Sequence, residues 1–172
     1  MIHQRSGTPY SPGQISEGIS ITTVANRHPA AESIHPQAKQ SHQLPGILAK
    51  ADALNSLEVL RIGPHGYLTE GTVSNLFLLK EGVLKTPPGW LGVLGGVMKG
   101  RVLEAASRLK IPVKEAPLTR HDLFNAEEAF LTNVLMEILP IRQVDGRAIG
   151  VRVPGPVTRR LLQEIRKKDQ NP

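Results

Sequence analysis

Two residues in the first half of the chain could do covalent and acid–base chemistry, Lys39 and Glu70. A lysine used as a nucleophile must lose its proton near neutral pH, which requires burial or a cationic neighbour. A carboxylate beside a cationic ring nitrogen keeps that nitrogen protonated and strengthens the ring as an electron sink. The spacing of these two residues alone fits an ordinary solvated lysine and glutamate equally well.

A glycine-rich segment, Gly92–Met98, opens a predicted helix and could bind an anion. Free amide groups at the start of a helix bind phosphate, and glycines let the backbone approach such a ligand closely. The segment does not match the Walker or the dinucleotide-binding fingerprint. Taken alone, it is as well interpreted as a loop that leads into a helix.

Other chemistry has weaker support. The chain has no cysteine, which excludes disulfides, thiolate zinc sites and cysteine nucleophiles. Its six histidines lack acidic or cysteine partners at ligand spacing, so we expect no metal site. Ser74 lacks the Gly-x-Ser-x-Gly context of a serine hydrolase. A basic run near the C-terminus has no aromatic platform, so it predicts a solvated helix face and no nucleic-acid partner: Arg159, Arg160, Arg166, Lys167 and Lys168.

The length and composition predict one globular domain. The chain has 172 residues, 40% of them hydrophobic, with a net charge of +6. Residues 1–17, rich in Ser, Gly and Pro, are interpreted as a linker or frayed terminus, and residues 18–172 as the domain. No signal peptide and no apolar run long enough to span a bilayer are visible, so we expect a cytoplasmic protein with no membrane partner.

Strand-like and helix-like segments alternate irregularly, which predicts a mixed α/β (α+β) domain rather than a doubly wound sheet. The predicted helices are Ile47–Leu57, Val97–Leu109, a capped helix that starts near Thr119, and Val157–Lys168. The predicted strands are Ile19–Ala25, Val59–Ile62, Tyr67–Thr69, Asn75–Leu79, Val83–Lys85, Ile111–Lys114, Ala129–Thr132 and Ile138–Val144.

Four segments, taken in order, resemble the class IV aminotransferase family, the fold type IV enzymes that use pyridoxal 5'-phosphate. They are spread along the chain, and the resemblance runs from about Ile19 to the C-terminus: Lys39–Leu44 with Leu48–Ala53; Thr69–Phe77; Thr86–Pro88 with Gly92–Lys99; and Glu127–Asn133 with Pro140–Ile141. Each alone is weak evidence, but four in the family's order make a strong case. The resemblance implies the large domain of that fold, a pseudo-barrel of mixed strands flanked by helices.

The resemblance also implies a role for each matching residue. Lys39 would form the Schiff base with the cofactor and move the proton, and Glu70 would pair with the pyridinium nitrogen. Leu94 would pack against the ring. The remaining cofactor-binding residues lie near the phosphate or the substrate carboxylate: Gly96, Val97 and Met98 at the helix start, and Asn133 and Val134.

Several positions depart from the family's pattern. Met98 and Val134 replace hydroxyl residues that commonly help to hold the phosphate, and Lys99 replaces an arginine. Leu44 stands where branched-chain aminotransferases place a tyrosine. The patterns Gly96-Val97-Met98 and Asn133-Val134-Leu135-Met136 resemble the aminodeoxychorismate lyase branch more closely, so that branch is favoured, with a D-amino acid or branched-chain aminotransferase as the alternative.

Family members also carry a small N-terminal domain, for which these 172 residues leave no room. We therefore expect the large domain only, and a non-catalytic remnant is a further alternative. The resemblance implies a small-molecule amino substrate and a homodimer.

Overall fold

The computed structural model of the protein describes residues 11–25, 44–53 and 56–170. Its strands are β1 (Ile19–Ala25), β2 (Val59–Ile62), β3 (Leu68–Gly71), β4 (Asn75–Lys80), β5 (Val83–Thr86), β6 (Val113–Glu115), β7 (Glu128–Asn133), β8 (Glu137–Val144) and β9 (Arg147–Ala148). Its helices are α1 (Pro12–Glu17), α2 (Leu44–Ala51), α3 (Val97–Arg108), α4 (Arg120–Phe124) and α5 (Pro156–Gln170), with one turn of 3₁₀ helix at Gly89–Leu91. The mixed α/β class is confirmed, and each predicted strand appears with its ends moved by at most two residues.

Six strands of the described chain close on themselves, in the order β1, β8, β7, β4, β3 and β2. The β1 pairings with β2 and β8 are parallel, and the other pairings in this ring are antiparallel. The ring closes through a single β3–β4 pair, Glu70 with Asn75. Strands β5 and β6 extend the sheet beyond β4. The predicted pseudo-barrel of mixed strands is therefore confirmed.

Alternating residues of the barrel strands enter two separate apolar clusters. Leu76 and Leu78 of β4 belong to the cluster that most barrel strands share, whereas Phe77 between them packs with α3 and α5. In the neighbouring strand β7, Phe130 does the same, and its ring stacks on that of Phe77 with centroids 5.2 Å apart. Because successive strand residues point to opposite faces, strands covered on both faces are apolar throughout rather than alternating.

The N-terminal prediction needs a correction, because residues 12–17 form helix α1 rather than an irregular linker. Ser11 and Gln14 form a reciprocal capping box, and Pro12 occupies the first turn, where its missing N–H costs nothing. Ile15 then packs against the barrel cluster. The domain boundary at residue 17 stays a prediction.

Helix α2 also differs from its prediction, since it runs from Leu44 to Ala51 instead of Ile47–Leu57. Pro45 can lie inside this helix because the first turn needs no amide donor from it. The helix ends early because the N–H groups of Ala53 and Ser56 bond carbonyls only three residues back, which tightens the chain into turns.

A buried carboxylate from β7 fixes the start of α5. Glu128 is 6% exposed and accepts hydrogen bonds from the N–H groups of Val157 (2.9 Å) and Thr158 (2.8 Å) and from the Thr158 hydroxyl (2.6 Å). A Cβ on Gly155 would overlap this carboxylate, so glycine is required there. The negative charge also complements the helix dipole. Leu161 and Ile165 then bury one face of α5.

We expect Glu128→Ala to destabilise the fold by about 2–3 kcal/mol, because it removes this cap and leaves donors buried without a partner. The free energy of unfolding from urea denaturation measures the effect. Glu104→Ala is the matched control, since that exposed glutamate makes only surface ion pairs. Equal, small losses in both variants would contradict the capping role.

Candidate functional site

The Glu70 carboxylate lies where β3 meets β4 and is held by donors from three segments. Its Oε1 atom accepts from Nη2 of Arg61 at 2.9 Å. Its Oε2 atom accepts from the Leu94 N–H at 2.9 Å and from Nδ2 of Asn75 at 3.2 Å. Burial raises the pKa of Glu70 above its ordinary value, while Arg61, the Leu94 N–H and Lys99 oppose that rise. A carboxylate with this donor set can stay ionised and face a cationic partner.

The glycine-rich loop is fixed to this carboxylate through Asn75. Besides Glu70, Nδ2 of Asn75 donates to the carbonyl of Leu94 at 2.9 Å, so both peptide groups of Leu94 are engaged. A Cβ on Gly96 would overlap Oδ1 of Asn75, which explains the need for glycine. The predicted site residues Glu70, Leu94 and Gly96 therefore lie together.

Helix α3 begins directly after this loop, at Val97, as the sequence predicted. Its N-cap, Gly96, provides no side-chain hydrogen bond, and the first amides of a helix have no partner within it. Met98 is buried in the cluster under α3, whereas the Val97 side chain is 73% exposed. The backbone amides of these two residues therefore begin an uncapped helix that favours an anion.

A buried lysine anchors the first turn of α3. The ammonium of Lys99 donates to the Pro87 carbonyl at 3.0 Å and to Oε1 of Glu115 at 2.7 Å, and the residue is 5% exposed. This contact ties α3 to the end of β5 and to β6. Lys99 thus adds a positive charge close to Glu70 without bonding it.

Asn133 is the last residue of β7, and Val134 begins the turn that leads to β8. Oδ1 of Asn133 accepts from the N–H groups of Leu135 (2.9 Å) and Met136 (3.0 Å), which shapes the turn. Its Nδ2 donates to the Val73 carbonyl at 3.2 Å, which brings the turn beside the loop that follows Glu70. Val134 is 71% exposed. The cofactor or substrate contacts predicted for both residues stay predictions.

Glu58, which the sequence reasoning did not single out, organises the loop between β3 and β4. It is 1% exposed and accepts hydrogen bonds from the Thr72 N–H (3.0 Å), the Thr72 hydroxyl and the Ser74 hydroxyl (3.0 Å). It also accepts from the Val73 N–H at 3.4 Å. The loop is therefore held by a carboxylate from the segment directly before β2.

The predicted Schiff-base residue, Lys39, lies outside the described residues. Like Glu58, Arg61 was missed by the sequence reasoning, although a charged residue inside the apolar run Val59–Ile62 is a signal that could have found it.

Within the described ranges, no group of three His, Cys, Asp or Glu side chains is placed to hold a metal ion. No helix of those ranges is both long and apolar enough to cross a membrane.

The residues of this site lie in a region that matches a known protein family. The family model described as amino-transferase class IV matches residues 5–144. The chain belongs to the class IV aminotransferase family. The matched region includes the loops around Glu70 and the start of α3, so the residues gathered here lie within the part of the chain that defines the family.

Curated relatives of this class IV protein carry branched-chain names. A putative branched-chain-amino-acid aminotransferase of Methanocaldococcus jannaschii is 35% identical over 160 residues, which is 92% of this chain and 56% of the relative. A probable branched-chain-amino-acid aminotransferase of Thermotoga maritima is 31% identical over 158 residues, 92% of this chain and 58% of the relative. The chain thus spans about half the length of the curated relatives it matches.

Solved structures agree with the sequence matches. The branched-chain amino acid aminotransferase of Escherichia coli superposes with a TM-score of 0.87 at 32% identity, over 92% of this chain and 53% of that one. A second branched-chain amino acid aminotransferase, solved with pyridoxamine 5'-phosphate, gives a TM-score of 0.85 at 27% identity, over 94% and 54%. These names support the branched-chain alternative better than the aminodeoxychorismate lyase preference.

The fit between the glycine-rich loop and Asn75 can be tested with one methyl group. We expect Gly96→Ala to displace the Asn75 side chain from Glu70 and Leu94 and to cost about 1–3 kcal/mol of unfolding free energy. Gly95→Ala is the matched control, because a Cβ there meets nothing within 4 Å. Urea denaturation measures both, and a Gly96 variant as stable as the Gly95 variant would contradict the contact.

Proposed function

We propose that the chain forms the cofactor-binding part of a pyridoxal 5'-phosphate-dependent aminotransferase that acts on branched-chain amino acids. The observation that carries this proposal is the buried Glu70 carboxylate, held by Arg61, Asn75 and the Leu94 N–H beside the uncapped start of α3. The branched-chain names of the relatives and of the solved structures supply the substrate class.

The donor set of the site fits this cofactor at both ends. Glu70 would pair with the protonated ring nitrogen, and the amides of Val97 and Met98 would hold the phosphate at the positive end of the helix dipole. Two of the structurally similar branched-chain aminotransferases were solved with pyridoxamine 5'-phosphate and with N-(5'-phosphopyridoxyl)-L-glutamate. When bound, the cofactor withdraws electrons from the substrate's α-carbon.

The chain's own residues would then bind and move a proton. The Lys39 amine would take the proton from the α-carbon of the amino acid and return it, as general base and then general acid. Glu70 would hold the ring nitrogen protonated, and Leu94 would pack against the ring and orient it. The net reaction would transfer the amino group of the amino acid to a 2-oxo acid, and the donor would leave as its own 2-oxo acid.

Three exposed valines follow or adjoin the site residues along the chain and would suit an aliphatic substrate. Val73, Val97 and Val134 are each more than half exposed, and the Val73 carbonyl accepts a hydrogen bond from Nδ2 of Asn133, the residue before Val134. Covering exposed aliphatic side chains with apolar groups is energetically favourable. A branched-chain substrate would supply such groups, and so would a second copy of the chain. The homodimer therefore stays a proposal, which sedimentation equilibrium would test.

A lyase is the second candidate, because the patterns Gly96-Val97-Met98 and Asn133-Val134-Leu135-Met136 resemble the lyase branch of the family. That reaction would release pyruvate and p-aminobenzoate from aminodeoxychorismate, whereas an aminotransferase would convert leucine, isoleucine or valine with a 2-oxo acid acceptor. Product analysis with both substrate sets separates the two. Production of p-aminobenzoate without transamination would overturn the branched-chain proposal.

The role of Lys39 has a direct spectroscopic test. Purified chain incubated with pyridoxal 5'-phosphate and desalted should keep the visible absorbance of lysine-bound cofactor, and Lys39→Ala should abolish it, because Lys39 is the amine proposed to form that bond. Lys50→Ala is the matched control, since Lys50 is an exposed lysine on α2. A band that survives in the Lys39 variant would show that another lysine holds the cofactor.

A further inference from the structure

Arg61 is a charged residue inside a strand whose other members are apolar. All four residues of β2 are buried, and Arg61 is 7% exposed. The β2–β3 register shifts between the pairs Leu60–Gly71 and Ile62–Leu68, so two residues of β3, Thr69 and Glu70, stand opposite this one arginine. Such an irregularity re-aims a side chain, and here the Arg61 side chain reaches Glu70.

The hydrogen bonds of Arg61 are concentrated on Glu70 and its neighbour. Nη2 donates to Oε1 of Glu70 at 2.9 Å and to the Gly71 carbonyl at 3.1 Å. Nε is buried and, among the described residues, has no hydrogen-bond partner. A buried N–H without a partner is unfavourable. The guanidinium therefore contacts Glu70 in an orientation that leaves one of its own N–H groups without a hydrogen bond.

The acceptor positions of Glu70 show what this placement achieves. An ionised carboxylate has about four acceptor positions, two on each oxygen. Asn75 and the Leu94 N–H use the two on Oε2, and Arg61 uses one on Oε1. One position remains, on the oxygen that Arg61 holds.

We propose that Arg61 is a positioning residue for the cofactor ring, which holds the Glu70 carboxylate in place and ionised so that Oε1 accepts a hydrogen bond from the ring nitrogen. The inference rests on the proposed function and deepens it. Arg61 itself acts through Glu70 rather than on the substrate or the cofactor.

The charges around Glu70 make Arg61 the main counter-ion. Arg61 reaches it from β2, Lys99 contributes from α3 without bonding it, and Glu58 lies beyond Arg61 and stabilises the guanidinium. Burial alone would raise the pKa of Glu70, and Arg61 is the largest opposing influence. Without Arg61, Glu70 would tend to protonate, and a neutral acid cannot stabilise a cationic ring nitrogen.

The first test measures the binding of pyridoxamine 5'-phosphate, which requires no covalent bond to Lys39. We expect Arg61→Leu to weaken binding about tenfold or more near neutral pH, and Arg61→Lys to recover part of that loss. Glu70→Gln, as a single substitution, should also weaken binding. In the Glu70→Gln background, Arg61→Leu should cause no further loss, because its effect passes through Glu70. The deficit of Arg61→Leu relative to the wild type should shrink as the pH rises, because Glu70 then ionises again.

The second test needs no cofactor and measures unfolding free energy from about pH 5 to pH 8. A carboxyl whose pKa is raised in the folded state stabilises the fold at low pH and loses that contribution as the pH rises through the folded pKa. Arg61→Leu raises the pKa of Glu70 further, so its stability deficit should grow with rising pH. Adding Glu70→Gln should remove that growth.

The outcomes separate the two proposals. If the wild-type chain does not bind pyridoxamine 5'-phosphate, the proposed function fails, while the stability profile still decides whether Arg61 keeps Glu70 ionised. If the wild type binds and Arg61→Leu binds equally well, the positioning role is overturned and the proposed function stands. If the stability deficit of Arg61→Leu does not depend on pH, Arg61 contributes only packing, and the proposed effect on Glu70 is overturned.

Discussion

The pair between Glu70 and Asn75 is the interaction on which this structure depends. It is the single strand pair that closes the six-stranded ring, and the two side chains also bond each other at 3.2 Å. Asn75 and Glu70 together bind both peptide groups of Leu94, so the closure of the barrel also fixes the loop that leads into α3. The fold and the candidate site therefore share the same hydrogen bonds, and a change that loosens one must loosen the other.

The buried charged residues beside the barrel require a physical explanation. Glu58, Arg61, Glu70 and Lys99 are all largely buried within this region. Removing ions from water costs several kcal/mol each, and well-packed apolar side chains often stabilise a fold at least as well. Glu58 has a structural reason, since it binds the loop that follows β3. Glu70 has one too, since it accepts from the Leu94 N–H, and the function proposed above would give the Arg61–Glu70 pair a second reason, a negative charge available to a ligand.

The sequence predicted the strands and α3 well because apolar periodicity and turn residues act locally. It also predicted Glu70, Leu94 and Gly96 as neighbours, but only through the order of motifs along the chain. The partners of Arg61 and Glu58 could not be predicted in this way, since they lie 9 to 16 residues away across a strand pair and an irregular register. Helix α1 was missed because its capping box, Ser11 with Gln14, lies in a segment whose composition is typical of a linker.

The alternation of side chains along β4 explains why the site lies outside the barrel. Asn75 and Phe77 share one face of the strand, while Leu76 and Leu78 point into the barrel cluster. The face of Phe77 is the one that α3 covers, so a polar residue two positions earlier meets the loop at the start of that helix. The barrel interior can then stay apolar, and the Asn75 side chain lies on the outer face, beside the loop that leads into α3. A one-residue shift in the register of β4 would place Asn75 inside the core and separate Glu70 from the helix start.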